Sequence, residues 1–106
     1  MGLTNTASDL LPGTLELLIL KALRPAAKHG YGITEDIADF AAVKFGPGSL
    51  YGAIARLESR ELIEALKSQD RRNPYRLTAL GEKALRARLA SMQAVARVGQ
   101  RRLVAA

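Results

Sequence analysis

The order of apolar and polar side chains predicts two helices in the first part of the chain. Residues 10–23 are dense in Leu and Ile and carry Pro12 near their start, where a missing N–H costs nothing, so they predict a largely buried first helix. Residues 29–32 contain two glycines and indicate a turn. In residues 33–41 the apolar positions recur at helical spacing and predict a second, shorter helix.

A third helix follows, with Pro47 as its first residue and Gly46 as an acceptable cap. One face carries the large aliphatic residues Leu50, Ile54 and Leu57. The opposite face carries small and basic residues, namely Gly52, Ala55, Arg56 and Ser59, with Ser49 at its flank. Small side chains allow close approach to another surface, and an arginine offers it a planar fork of donors. A solvated surface helix with a few alanines would show the same pattern.

After the third helix the pattern changes to that of a hairpin. Residues 62–67 and 75–78 predict two strands. A polar loop, residues 68–74, connects them and has Arg71 and Arg72 at its tip. A basic hairpin tip suits contact with a polyanion, and equally a solubilising surface loop.

A long final helix begins after Thr78, which is its predicted cap. Its apolar residues follow alternating steps of four and three, a heptad-like stripe. The stripe consists of Leu85, Leu89, Met92, Ala96, Gly99 and Leu103, and Lys83, Arg86, Arg97 and Arg101 lie on the opposite face. A second copy of the chain is the simplest partner for the stripe, which predicts a dimer. Alternatively, the helix folds back on its own domain, at least from Leu80 to the start of the stripe.

Composition restricts the classes of function. The chain has 106 residues, 48% of them hydrophobic, which corresponds to one ordinary domain. It has no cysteine and one histidine, His29, which excludes a disulfide scaffold, a thiol nucleophile and the common two-His zinc sites. No nucleophile, base and orienting group occur at a usable spacing, so we expect no catalytic activity, metal or cofactor. Without a long apolar run or a secretory signal, a cytoplasmic protein with no membrane partner is expected.

The net charge of +6 is distributed unevenly along the chain. Residues 1–43 have a net charge of −2, residues 44–78 of +3 and residues 79–106 of +5. A positive excess in the second half is typical of a protein that binds a polyanion such as nucleic acid, although many basic faces are only solvated surfaces.

Three helices followed by a hairpin is the element order of a winged helix-turn-helix. The expected fold class is therefore mostly α with a small β-hairpin, followed by a long C-terminal dimerisation helix. In this arrangement the third helix lies in the major groove of DNA, and the hairpin, called the wing, contacts the flanking backbone or minor groove. The basic wing and the small, basic face of the third helix then lie on one side of the molecule.

The chain resembles the PadR-like family of transcriptional regulators over about residues 11–85. The resemblance is carried by an ordered set of short motifs: LPGTLELLIL at 11–20, HGYGI at 29–33, GPGSLY at 46–51, RLE at 56–58, LIE at 62–64 and YRLT at 75–78. It implies a prokaryotic transcription factor, usually a repressor, that binds a pseudo-palindromic operator on double-stranded DNA as a homodimer through its last helix. It also implies a possible small hydrophobic or aromatic effector.

Three positions depart from the family pattern. Gly52 stands where a proline is frequent, so we expect a less rigid start of the third helix. Glu61 stands where a glycine often ends that helix, and the turn into the hairpin is expected to differ. Asn73 and Pro74 replace a basic and aromatic pair, and because proline cannot donate a ladder hydrogen bond, the wing is expected to be shorter or to start later.

These considerations select the candidate residues. The predicted DNA contacts are Lys44, Ser49, Tyr51, Gly52, Arg56, Ser59, Arg71 and Arg72. The predicted dimer contacts are Leu85, Leu89, Met92, Ala96 and Leu103. Arg56 is the best candidate for hydrogen bonds to the edge of a guanine base, and a contact with a phosphate is about as good an interpretation. Tyr51 is expected to pack with its hydroxyl directed outward, where it could meet a phosphate. For Tyr31 the same two interpretations stand, and packing is favoured over a phosphate contact.

The predicted organisation has three parts: a disordered segment 1–9, a DNA-binding winged unit 10–78 and a dimerisation helix 79–106. The leading hypothesis is a dimeric DNA-binding regulator. The competing hypothesis is a winged-helix module for protein assembly whose basic surface is incidental.

Overall fold

The computed structural model describes residues 5–6, 13–68 and 72–105. Its elements in chain order are β1 (Asn5–Thr6), α1 (Thr14–Leu23), α2 (Gly30–Ala41), β2 (Val43–Lys44), α3 (Pro47–Ser59), β3 (Ile63–Ala65), β4 (Tyr75–Leu77) and α4 (Ala79–Val104). The fold is mostly helical with a small antiparallel hairpin and a long last helix, which confirms the expected fold class. No helix in the described part of the chain is long and apolar enough to cross a membrane.

The first three helices pack their aliphatic faces together into one core. Ile19 from α1, Ile33 and Ile37 from α2 and Leu57 from α3 are at most 1% exposed. The predicted inner face of α3 is confirmed, because Leu50, Ile54 and Leu57 are all buried. Burial of an aliphatic side chain of this size stabilises the fold by about 1.5–3 kcal/mol. This core fixes the position of α3 relative to its neighbours.

The second helix begins at Gly30, so the prediction of a turn over residues 29–32 is wrong. His29 has the extended conformation of an N-cap residue, and its carbonyl accepts a hydrogen bond from the N–H of Ile33. Gly30 is buried, and a Cβ at this position would lie 2.6 Å from the hydroxyl oxygen of Tyr51. The glycine therefore serves close packing of two helices rather than a turn.

Two further departures concern the start of the chain and the segment between α2 and α3. Asn5–Thr6, which fall in the segment predicted to be disordered, pair in parallel with Val43–Lys44. The prediction is wrong for these two residues, because their backbone groups find partners in β2. The first helix begins at Thr14, whereas residues 10–12 of the predicted helix lie outside the described residues.

The turn after α3 uses a left-handed residue that is not glycine. Glu61 has a φ of 60° and donates its N–H to Glu58 O, while Leu62 N donates to Leu57 O. These two hydrogen bonds form a Schellman motif, which normally places glycine at the left-handed position. The family pattern predicted a different turn at Glu61, whereas the chain keeps the glycine geometry with a glutamate.

The wing consists of β3, β4 and the connection between them. Glu64 is directly opposite Arg76 in the antiparallel register, and the two side chains form an ion pair. The first strand is shorter than the predicted 62–67, because Pro74 accepts from Leu66 N but has no N–H to return the bond. The second strand accordingly begins at Tyr75, which also pairs with Lys28 on its other side.

The last helix has one packed end and one exposed part. The side chain of Thr78 accepts a hydrogen bond from Gly81 N, which confirms Thr78 as the cap. Gly81 and Leu85 are buried against the rest of the chain. Residues 86–104 are all exposed, and the described structure extends 59 Å along its longest axis but only 32 and 21 Å along the others.

Candidate nucleic-acid interface

The outer face of α3 is exposed and built from small residues. Ala55 and Ser59 are exposed, and Gly52 is half-buried beneath the side chain of Arg56. The hydroxyl of Ser59 donates to the carbonyl of Arg56, so its proton is used within the helix while its oxygen can still accept. Ser49 is exposed in the first turn. The predicted outer face of α3 is therefore accessible to a ligand.

The first turns of α2 and α3 converge with the wing on one open cleft of about 530 Å³. Residues from each of the three elements line it: His29, Tyr31 and Thr34 from the start of α2; Gly46, Pro47 and Tyr51 from α3; and Arg72, Asn73 and Tyr75 from the wing. The N–H groups of a helix's first turn have no partners within the helix and favour anions. The cleft thus combines two helix starts with an arginine from the wing.

All three tyrosines of the chain line this cleft. Tyr51 is 52% exposed and packs against Gly30 as expected, but it does so with its hydroxyl end, so the expected outward direction of the hydroxyl is not what the structure has. Tyr31 is 69% exposed, so the packing that was favoured for it is wrong, and its contact with a phosphate stays a prediction. Burial raises the pKa of Tyr75, with smaller contributions from the charge of Glu58 and from Tyr51, so its phenol remains neutral.

The predicted basic contacts are placed as follows. Arg72 is exposed at the wing and lines the cleft, whereas Arg71 lies outside the described residues. Lys44 is exposed on β2, just before the segment that leads into α3. Arg72 is therefore next to the cleft, and Lys44 precedes one of the helices that form it.

Arg56 makes an ion pair that the sequence analysis missed. Its Nε donates to Glu16 Oε1 on α1 at 2.6 Å, across 40 positions of sequence. The Glu16 side chain is only 16% exposed, whereas that of Arg56 is 55% exposed. The sequence did contain a signal for this ion pair, because Glu16 lies inside the leucine-rich first helix. A carboxylate that is largely buried there needs a partner.

The predicted dimer residues differ in environment along α4. Leu85 is 4% exposed and belongs to the core of its own chain, so its assignment to an interface does not fit the structure. Leu85 packs there because it lies one turn after Gly81, where α4 still contacts the other elements. Leu89, Met92 and Leu103 are 40%, 48% and 83% exposed, and Ala96 is also exposed.

Comparison with known proteins relates the chain to a family of regulators. The sequence model of the transcriptional regulator PadR-like family matches residues 19–87. A 37.1 kDa protein of transposon TN4556 from Streptomyces fradiae is 40% identical over 77 residues, which cover 73% of this chain and 22% of that protein. The chain thus spans about a fifth of that relative's length.

Solved structures show the same similarity in three dimensions. A transcriptional regulator from Clostridium thermocellum superposes with a TM-score of 0.79 at 26% identity, covering 88% of this chain and 96% of the other. A PadR family transcription regulator from Clostridium difficile gives a TM-score of 0.75 at 27% identity, covering 86% and 99%.

Proposed function

The chain belongs to the PadR-like family of transcriptional regulators, and on that premise we propose that it is a homodimeric, sequence-specific DNA-binding repressor acting in the cytoplasm. In this proposal α3 enters the major groove of a pseudo-palindromic operator, and the wing contacts the flanking backbone. One observation carries the proposal: the starts of α2 and α3 and Arg72 of the wing converge on one open cleft beside the exposed face of α3.

The cleft is suited to the sugar-phosphate backbone that flanks the groove occupied by α3. Tyr31 and Tyr51 are exposed there, and Arg72 supplies positive charge. Phosphate contacts from hydroxyls, helix starts and arginines position a protein on DNA and make its affinity sensitive to salt. We assign Tyr51 and Arg72 to this role, together with Lys44 and Arg71.

The small outer face of α3 is the proposed reading surface. Gly52 and Ala55 let the helix approach the base edges closely, and an alanine methyl can contact the methyl group of thymine. Ser49 offers a hydroxyl that can accept or donate, and Ser59 offers its hydroxyl oxygen as an acceptor. Arg56 is a long donor on this face, and its terminal amino groups would reach a guanine or a phosphate.

Dimerisation is proposed from the exposed part of α4. Residues 86–104 form five turns of helix outside the core, with Leu89, Met92 and Leu103 exposed along one stripe. A protruding helix with an apolar stripe is stabilised when a second copy covers it, and a two-fold dimer matches a two-fold operator.

A binding titration tests the function. The chain is titrated against a labelled duplex from upstream of its own gene and against an unrelated duplex, across a salt series and at known dimer concentration. Tighter binding to the upstream duplex, with an affinity that falls steeply as salt rises, supports the proposal. Equal affinity for both duplexes at physiological salt would contradict an operator in its own upstream region.

The competing assembly module is distinguished by a triple replacement of Arg56, Arg71 and Arg72 by Gln. Loss of DNA binding with an unchanged dimer supports the regulator, whereas retention of DNA binding contradicts the proposed interface. Release of DNA by a small hydrophobic or aromatic effector remains a prediction, tested by adding such compounds to the preformed complex.

A further inference from the structure

The ion pair between Arg56 and Glu16 joins the proposed reading helix to the first helix. Arg56 Nε and Glu16 Oε1 are 2.6 Å apart. Glu16 belongs to the first turn of α1, and its side chain is largely buried, so the carboxylate is held by its surroundings rather than free to follow the arginine. The arginine is the more exposed partner, with 55% of its side chain accessible.

The same contact sets the orientation of the guanidinium group. Nη1 of Arg56 lies 3.5 Å from the position that a Cβ on residue 52 would occupy, so the group extends over Gly52 on the outer face of α3. Because Glu16 accepts from Nε, the terminal amino groups Nη1 and Nη2 retain donors for another acceptor. An arginine held in this way carries its hydrogen-bond donors to the surface that faces the proposed ligand.

We propose that Glu16 is a positioning residue for DNA recognition: it fixes Arg56 over Gly52 so that the terminal amino groups meet an acceptor on the operator. This inference rests on the proposed DNA-binding function. A free arginine loses much of its rotamer freedom when it binds, and an arginine already held by Glu16 has lost part of it before DNA arrives. The consequence is better discrimination between sequences, because a fixed fork fits only an acceptor in the right place.

The glycine at position 52 is part of the same arrangement. A Cβ at this position would be in ordinary van der Waals contact with Nη1 of Arg56, so the guanidinium group that Glu16 holds lies directly over residue 52.

The test measures the ratio of affinities for the upstream and unrelated duplexes. Glu16→Ala removes the acceptor, and we expect the ratio to fall about tenfold, the scale of one lost specific contact. Glu16→Gln keeps a carbonyl acceptor without the charge, and a smaller fall of about threefold is expected. If Glu16→Ala does not fold, as judged by circular dichroism and thermal unfolding, Glu16→Gln alone decides.

Two controls separate positioning from charge and from stability. Glu58→Gln removes the same charge from the other side of α3, since residues two apart face away from each other. It should raise the affinity for both duplexes alike and leave their ratio unchanged. In an Arg56→Gln background, Glu16→Gln should have no further effect on the ratio, because nothing remains to be positioned.

Distinct outcomes overturn the inference and the function on which it rests. Equal binding of both duplexes by the wild-type chain would contradict the proposed operator in the upstream duplex, and with it the DNA-binding function on which the inference rests. Wild-type discrimination that Glu16→Gln leaves unchanged would overturn the positioning role alone. A ratio that falls equally with and without Arg56 would show that Glu16 acts through the fold rather than through Arg56.

Discussion

Two leucines of the same helical stripe have opposite environments, and they divide the molecule into two regions. Leu85 is 4% exposed and Leu103 is 83% exposed, although both lie on the heptad-like stripe of α4. The first belongs to the body, which comprises α1, α2, α3, the wing and residues 79–85. The second belongs to the distal part of α4, residues 86–104. Residue type and periodicity are therefore equal, and only the presence of neighbouring elements differs.

The comparison shows that the two regions are stabilised in different ways. In the body, aliphatic side chains are buried by the same chain, so its stability is intramolecular and independent of concentration. In the proposed dimer, the apolar side chains of the distal part of α4 gain burial from the second copy, so their contribution depends on concentration. Substitutions in the two regions should therefore change different measurements.

The largest effect is expected at Gly81, where the body and α4 meet. A Cβ at this position would overlap the carbonyl oxygen of Leu62, and backbone atoms cannot move aside as a side chain can. We expect Gly81→Ala to lower the free energy of unfolding by more than about 3 kcal/mol, measured by urea denaturation. Gly48→Ala is the matched control, because no atom of the described residues lies within 4 Å of its Cβ position, and it should be neutral or stabilising. Equal effects of the two substitutions would contradict the close contact at Gly81.

The next largest effect is expected at Leu85, in a direct comparison with Leu103. Leu85→Ala leaves a cavity in the core and should lower the free energy of unfolding by about 3 kcal/mol. Leu103→Ala should leave the free energy of unfolding unchanged in dilute solution, because this side chain is not buried by its own chain. Denaturation at several protein concentrations tests both. A large loss from Leu103→Ala in dilute protein would show that the distal part is packed within the monomer.

A charge placed on the distal stripe should break the proposed dimer. We expect Leu89→Asp to raise the dimer dissociation constant about 100-fold or more, because a carboxylate would be buried without a partner. Ala90→Asp introduces the same charge at the next exposed position, about 100° around the helix, and should change the constant little. Analytical ultracentrifugation measures both variants. Unchanged association of Leu89→Asp would place the interface elsewhere.

The smallest effect is expected at the turn before the wing. Glu61 has a left-handed conformation that costs a non-glycine residue energy, and its carbonyl accepts from the hydroxyl of Thr78 at the start of α4. Glu61→Gly should raise the free energy of unfolding by about 0.5–1 kcal/mol, after allowing for the greater entropy of an unfolded glycine. Glu58→Gly, inside α3, should lower it by about 1 kcal/mol. Thermal unfolding measures the stability of both variants. A loss of stability in Glu61→Gly would contradict backbone strain at Glu61.

Much of the fold follows from local patterns in the sequence. Pro47 at the first turn of α3 and Thr78 at the cap of α4 were identified from residue type alone, because capping and proline preferences act over a few residues. The start of the second strand at Tyr75, after Pro74, was also predicted from local residue types. The start of α2 was missed, because glycine at position 30 indicates a turn in the sequence but serves contact with Tyr51 in the fold.

The candidate interface was predicted less completely than the fold. The outer face of α3 follows from helical periodicity, and most of its predicted residues are accessible as expected. The cleft could not be predicted, because it joins the starts of two helices to the wing, which are separated in sequence. The same is true of Tyr31, whose exposure depends on what lies beside the start of α2.

The sequence by itself determined the helices, the hairpin, the aliphatic face of α3 and the apolar stripe of α4, because each depends on side chains a few positions apart. Tertiary structure alone decided which part of that stripe is core, since Leu85 reaches the body and Leu103 does not. It also decided that Arg56 meets Glu16, 40 residues away. Local preferences act over one or two turns, whereas a salt bridge or a buried leucine depends on which distant surfaces the folded chain brings together.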